Sequence, residues 1–327
     1  MKAQSVATDF KFMRWAKLMG ALSLAAVIFS FVLLGTKGLN LGLDFTGGTV
    51  LEVKATQDIE LDEVREALEA GGYGDAVAQH FGGAKEVMVR IPPRKAAAKD
   101  ESAEEAAASA AADNEGDRVG QEVFELLAKD IEGLELIRKE FIGPQVGDEL
   151  RDQSGLAILI AMIMMSLYLW FRFTNKLGVA AVVALVHDVV IVLGVFAFYQ
   201  IPFDLTVLAA VLAVVGYSIN DTIVIADHIR EDFRNSRLSE PVELIDRAVN
   251  RTLSRTMITG LTTLFVLFAL YFFGGEMIRG FSLALIIGVI VGTYSSIYVA
   301  NGLLLLMKVT KEDFIPPEIK DEVDDMP

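Results

Sequence analysis

Gly216-Tyr-Ser-Ile-Asn-Asp-Thr-Ile-Val-Ile-Ala-Asp-His-Ile-Arg230 follows directly on Leu205-Thr-Val-Leu-Ala-Ala-Val-Leu-Ala-Val-Val215. Joined, residues 205–226 make an apolar segment of the length a bilayer demands, about 20 residues. Asn220 and Asp221 lie in its second half. A carboxylate at such depth costs at least ~2.5 kcal/mol on insertion scales, so it rarely faces lipid and marks a functional site by default. The structural alternative is that Asp221 caps a broken helix or pairs with a neighbouring span.

Five further apolar segments, residues 18–34, 155–171, 177–198, 257–273 and 281–307, are long enough to cross a bilayer. The chain of 327 residues is 53% hydrophobic, with a mean hydropathy of +0.45, too apolar for an ordinary soluble domain. Cysteine is absent, which excludes disulfides, thiolate metal sites and Cys nucleophiles. His80, His187 and His228 are too scattered for a metal cluster, so no metal is expected. The net charge of −15 is uneven: residues 35–154 hold 26 acidic and 13 basic side chains, leaving the rest near balance. No nucleic-acid partner is expected from that distribution.

Orientation follows from Lys and Arg near the span ends. Lys2, Lys11, Arg14 and Lys17 precede the first span, and Arg172 and Lys176 separate the second from the third. Arg230, Arg234, Arg237, Arg247, Arg251 and Arg255 follow the fourth, and Lys308, Lys311 and Lys320 follow the sixth. The short opposite loops hold only Arg279. Both termini (1–17 and 308–327) and residues 227–256 are therefore expected in the cytoplasm, and residues 35–154 outside. The first span lacks a following small-residue cleavage site and reads as a retained anchor.

The outer segment reads strand, helix, strand, strand, helix, strand: 50–53, 61–70, 76–81, 86–91, 120–131 and 134–142. That order is the split βαβ, ferredoxin-like plan, and Gly47-Gly48 permits a tight bend before its first strand. The fold class is thus a polytopic α-helical membrane protein with six transmembrane helices. A small ferredoxin-like α+β periplasmic domain stands between the first and second. Residues 95–118 are rich in Ala, Glu and Asp and lack large apolar side chains, so they are expected to be a disordered or loosely helical insertion.

Within the spans, His187 and Asp188 near the middle of the third should face protein or water. A hydrogen-bonding pair between spans and a proton-handling role both remain open. Ala209, Ala213, Gly216 and Asn220 form one row of small side chains, and Ala284, Gly288, Gly292, Ser296 and Ala300 another. Such rows let helix backbones approach closely in lipid, so the fourth and sixth spans are expected at a tight interface. Arg247, Arg251 and Arg255 repeat at i, i+4, i+8 on an amphipathic helix suited to the membrane surface. Arg255, at the start of the fifth span, can reach toward Asp221.

The segments 42–53, 143–150, 184–194, 202–230, 250–263 and 272–300, taken in order, closely resemble the SecF members of the bacterial SecD/SecF protein-export family, of the resistance-nodulation-division superfamily. That resemblance covers nearly the whole chain. It implies an inner-membrane protein with a SecD partner, acting in a complex that uses the proton-motive force to help secreted, unfolded polypeptides through the SecYEG channel. Membrane lipid and other translocon-associated membrane proteins are its remaining implied neighbours. It further implies proton coupling through the Asp of Ser-Ile-Asn-Asp-Thr and the Arg of Leu-Ser-Arg-Thr, here Asp221 and Arg255. Asn220, Asp188 and His187 are secondary candidates, and Gly216, Gly288, Gly292 and Ser296 are candidates for helix packing. Protons are the only coupling ion expected, with no cofactor. The family often has Phe-Asp-Arg where this chain has Ala226-Asp-His228, which assigns His228 no fixed role.

Two other readings compete. A small-molecule efflux permease usually has twice as many spans, and a passive translocon scaffold would not need costly intramembrane charges. An enzyme is not expected: there is no phosphate loop or metal cluster, and no matched pair of aspartates for an intramembrane protease.

Overall fold

The computed structural model describes residues 10–81, 83–93, 105–235 and 240–314. The expected residues Lys2, Arg237, Lys320 and 95–104 lie outside this set. Six helices are long and apolar enough to cross a membrane, and the six expected segments fall within them except for residue 307, one past the end of the sixth. They are α1 (Ala16–Thr36), α5 (Pro144–Arg172), α6 (Asn175–Tyr199), α7 (Leu205–Asn235), α8 (Pro241–Phe273) and α9 (Arg279–Leu306). Between α1 and α5 come β1 (Asn40–Leu41), the single turn α2 (Leu43–Thr46), β2 (Gly48–Lys54), α3 (Leu61–Ala70), β3 (Val77–His80), β4 (Glu86–Ile91), α4 (Glu105–Asp130) and β5 (Glu135–Ile142). The short β6 (Pro202–Phe203) lies between α6 and α7.

The helices outrun the hydrophobic segments that nucleate them. Pro144 opens α5 at a position where its missing N–H costs nothing, so the helix forms well before the apolar run. Pro241 does the same for α8, which makes the amphipathic arginine-bearing helix continuous with the fifth span. At about 1.5 Å per residue such a helix is roughly 50 Å long, more than a bilayer needs. In the apolar stretches of α6, α7 and α9 half or more of the residues are buried, against fewer than a fifth in α1, α5 and α8. The first three therefore form the membrane core, and the others present apolar side chains outward.

The outer sheet has the order β3-β4-β2-β5, antiparallel throughout, as the ferredoxin-like plan requires. One face packs Leu51, Val53, Val87, Val89 and Ile91 against Val64 and Leu68 of α3 and Val123 and Leu127 of α4. The β2–β5 register slips between Glu52 and Val53, which leaves Ile137 unpaired as a bulge. Helix α4 begins at Glu105, ahead of the expected Gly120. Residues 105–118 are thus helical, and their last turn packs: a Cβ on Gly116 would lie 2.1 Å from the Phe141 ring. Alanine's helix propensity extends a helix that is anchored at one end by this contact.

Candidate functional site

Small residues bring α7 and α9 together. A Cβ on Gly288 would lie 2.1 Å from Val214 Cγ2, and one on Gly292 would lie 3.3 Å from Ser218 Cβ. All five small positions of the α9 row are buried. The α7 row behaves otherwise. Ala209, Ala213, Gly216 and Asn220 are exposed, and a Cβ on Gly216 would meet nothing within 4 Å. The expected tight interface of the fourth and sixth spans is present, but the α7 row, Gly216 included, takes no part in it: α7 meets α9 through Val214 and Ser218. The apolar inner stripe of α7 satisfies more buried surface than the row of small residues does, so the small row turns away from the core.

That rotation fixes the charged site. Asp221 is 3% exposed, and its Oδ2 has no hydrogen-bond partner among the described residues. On α8, a Cβ on Gly260 would come within 3.9 Å of Tyr217 Oη. One turn further along these antiparallel helices, Asp221 is level with Thr256, whose buried Oγ1 is also without a partner among the described residues. Arg255 is the cation whose charge acts on Asp221. It forms no ion pair with it, however, and its side chain is exposed. The reach of Arg255 toward Asp221 is therefore electrostatic, not a two-pronged contact, because residue 255 faces the open side of α8 while Thr256 faces the seam. Asn220 is exposed on the open side of α7.

His187 and Asp188 form a separate centre. Asp188 is fully buried; its Oδ1 lies 2.9 Å from His187 Nδ1. Its Oδ2 accepts from Ser218 of α7 and, at 2.7 Å, from Ser295 of α9. The His187 ring lies 6.4 Å from that of Tyr294, whose hydroxyl donates to the Met19 carbonyl of α1 at 2.8 Å. Four helices are tied by this knot. Ser296, one residue on, bonds its hydroxyl to Thr293 O within its own helix, which lets the polar side chain sit in the interface.

Ser218, Thr256, Ser295 and Tyr294 escaped the sequence reading. Ser218 precedes Asp221 by three residues, and that spacing was its available signal. The arginine stripe also divides on inspection. Arg251 Nη1 pairs with Asp232 Oδ1 at 2.7 Å and Nη2 lies 3.7 Å from Glu231 Oε2, so this side chain braces α8 against α7 instead of facing lipid phosphates. His228 bonds the Val224 carbonyl within its own helix.

The model of the protein export membrane protein SecD/SecF C-terminal region matches residues 123–310, and that of the SecD/SecF GG motif matches residues 32–59. Over 320 residues the chain is 47% identical to the protein translocase subunit SecF of Vibrio alginolyticus, covering 97% of this chain and 96% of that one. The chain belongs to the SecF family. The Escherichia coli O157:H7 SecF is 38% identical over 97% of this chain and 94% of its own. Among solved structures, SecDF from Thermus thermophilus, described as a translocon-associated membrane protein, superposes with a TM-score of 0.81 at 35% identity. The match covers 93% of this SecF-family chain but 40% of the SecDF chain.

Proposed function

We propose that this chain is a non-enzymatic accessory subunit of the Sec protein translocase. Paired with a SecD-type subunit, it uses the proton-motive force to promote passage of secreted polypeptides through the SecYEG channel. Asp221 takes up and releases the proton, and Arg255 is its charge partner. Both termini lie in the cytoplasm and the sheet domain in the periplasm. Relatives named protein translocase subunit SecF, and a SecDF chain that contains a region like this one, support that reading.

The observation that carries it is the half-built character of the site. A buried carboxylate with an unsatisfied oxygen is costly, and among the described residues the charge of Arg255 is what offsets that cost at Asp221. The side of α7 next to it bears Ala209, Ala213, Gly216 and Asn220, exposed at bilayer depth, and Arg255 on α8 is exposed as well. Small side chains beside polar groups suit the close approach of another transmembrane helix, here a helix of the SecD-type subunit. Inward movement of one proton gains about 2.3 kcal/mol per 100 mV. That is comparable with the few kcal/mol separating two packings of a helix bundle, so protonation of Asp221 suffices to bias such a switch.

Asp221→Asn keeps the shape and removes the titration. It is expected to insert normally, to bind the SecD-type partner, and to abolish the uncoupler-sensitive part of export measured in inverted membrane vesicles. Export with wild-type uncoupler sensitivity in this variant would show that Asp221 is structural.

A further inference from the structure

The turn α2 stands where the chain passes from the bilayer to the sheet domain, and it is fastened on both sides. Toward the membrane, Asp44 Oδ2 accepts the backbone N–H of Leu205 at 2.9 Å, across 161 positions of sequence. Leu205 is the first residue of α7, so a free N–H at the start of that helix is met by a carboxylate from another part of the chain. Asp204 meets a second, accepting from Val207 N–H at 2.8 Å. Gly42 N–H donates to the Phe203 carbonyl at 2.7 Å, and β1 runs parallel to β6. Phe45 is 2% exposed and stacks on Phe203 with ring centres 6.0 Å apart.

The other side of the turn holds the sheet. Gly47 has φ +65° and Gly48 φ +117°, a conformation that L side chains rarely adopt. A Cβ on Gly47 would lie 2.8 Å from Pro144 Cα at the start of α5, and one on Gly48 would lie 2.4 Å from the Ile91 carbonyl at the end of β4. Arg90 of β4 donates to the Leu41 carbonyl at 2.8 Å. Burial pushes its guanidinium down, with the charge of Asp204 opposing. Residues 42–48 are therefore gripped between the first residues of α7 and the roots of β2, β4 and α5.

We propose that Asp44 is the residue that couples α7 to the periplasmic domain, so that a displacement of α7 driven at Asp221 reaches the sheet through the Asp44–Leu205 bond. Helix α7 is unbroken from Leu205 to Asn235. Asp221 is about 24 Å along it from Leu205, and a packed helix carries an axial or rotational shift over that distance. Asp44 meets neither proton nor polypeptide; it is a positioning residue. The inference rests on Asp221 being the proton site, and its test is separable from the test of that site.

The full chain, reconstituted with its SecD-type partner and SecYEG in proteoliposomes, gives two readings from one vesicle population: proton uptake by a trapped pH dye, and proton-driven export of a secreted polypeptide. Asp44→Ala is expected to keep wild-type proton uptake and to lose proton-driven export roughly fivefold, the population change that loss of one helix cap produces. Asp44→Asn retains an acceptor oxygen and is expected to fall between. Wild-type export in Asp44→Ala, or equal fractional loss of uptake and export, overturns the proposal. Should the alanine variant fail to accumulate, Asp44→Asn decides by the same ratio: raised uptake per chain exported supports coupling, and an unchanged ratio overturns it. Asp221→Asn run alongside keeps the two ideas apart. Unaltered uptake there refutes the proton site, while the Asp44 ratio, read with Asp221 intact, stands or falls by itself.

Discussion

Gly288→Ala adds one methyl group where α7 and α9 are closest. Its Cβ would sit 2.1 Å from Val214 Cγ2, 2.7 Å from Cγ1 and 3.0 Å from Cβ. Optimal carbon separations are about 3.5–4.0 Å, so the contact is short by more than 1 Å. A rotamer change does not relieve it, because valine in a helix is held largely to one χ1 and its Cβ is fixed to the backbone. The helices must part, and overpacking of this kind costs about 1–3 kcal/mol. At Gly292 the nearest atom is Ser218 Cβ at 3.3 Å, so Gly292→Ala needs a shift of a few tenths of an ångström and should cost under about 1 kcal/mol. Val214→Ala alone removes two buried methyl groups and should cost about 1.6 kcal/mol at 0.8 per carbon. In the double variant the alanine side chains replace the clash with a near-contact, and the pair should be more stable than the sum of the single losses by at least about 1 kcal/mol. Reversible unfolding of the full chain in mixed micelles measures the cycle. Additivity within about 0.5 kcal/mol would show that residues 214 and 288 do not meet, and the α7–α9 packing described above would be wrong.

Burial raises the Glu52 carboxyl above its ordinary value, with Arg138 opposing and Glu140 and Glu86 adding to the rise. A raised folded-state value means that stability from this group is fully present below the unfolded carboxylate range and is lost as pH rises through the folded value. Glu52→Gln should therefore be neutral in acid and should slow hydrogen exchange of the β2 and β4 amides at pH 7 and above. Arg138 keeps Glu140 as a partner in that variant. Equal exchange at all pH values would contradict the burial argument. Separately, Arg251→Ala strands the carboxylate of Asp232, which is 7% exposed and already has one unpaired oxygen. The loss should be about 1–3 kcal/mol, and adding Asp232→Asn should recover most of it. No recovery in the same micelle unfolding assay would mean that Arg251 acts elsewhere.

The number of spans was legible because a bilayer imposes a length that residues 205–226 and their five counterparts meet. The outer sheet was legible because its strand and helix periods alternate in an order with few packings. The cost of a carboxylate in the bilayer singles out Asp221 from sequence alone. Which way each helix faces was not legible. The row Ala209, Ala213, Gly216, Asn220 promises a close neighbour but does not say whose, and two small rows in one chain invite the assumption that they meet. In the structure the choice is made by Val214 and Ser218, which fit under Gly288 and Gly292 and leave the α7 row outside. Arg255 does not fork onto Asp221 because position 255 lies on the exposed side of α8. Contacts such as Asp44 with Leu205 join positions 161 residues apart and carry no local period at all.

The two intramembrane aspartates look alike in sequence and differ in what surrounds them. Asp188 accepts from two serines on two other helices and lies against His187, so both of its oxygens are satisfied within the chain. Moving it would break bonds on α6, α7 and α9 together, and a group held that way serves as a fixed point. Asp221 has an oxygen with no bond, a cation acting from a distance, and an open side lined by small residues. Among the described residues no hydrogen bond holds that oxygen. Ser218 connects the two, because it bonds Asp188 from one turn before Asp221 on the same helix, and Thr222 bonds the Ser218 carbonyl at 3.1 Å. On the proposed reading, a shift of α7 started at Asp221 would pivot where Ser218 is tied, and its far end would be the helix start that Asp44 holds.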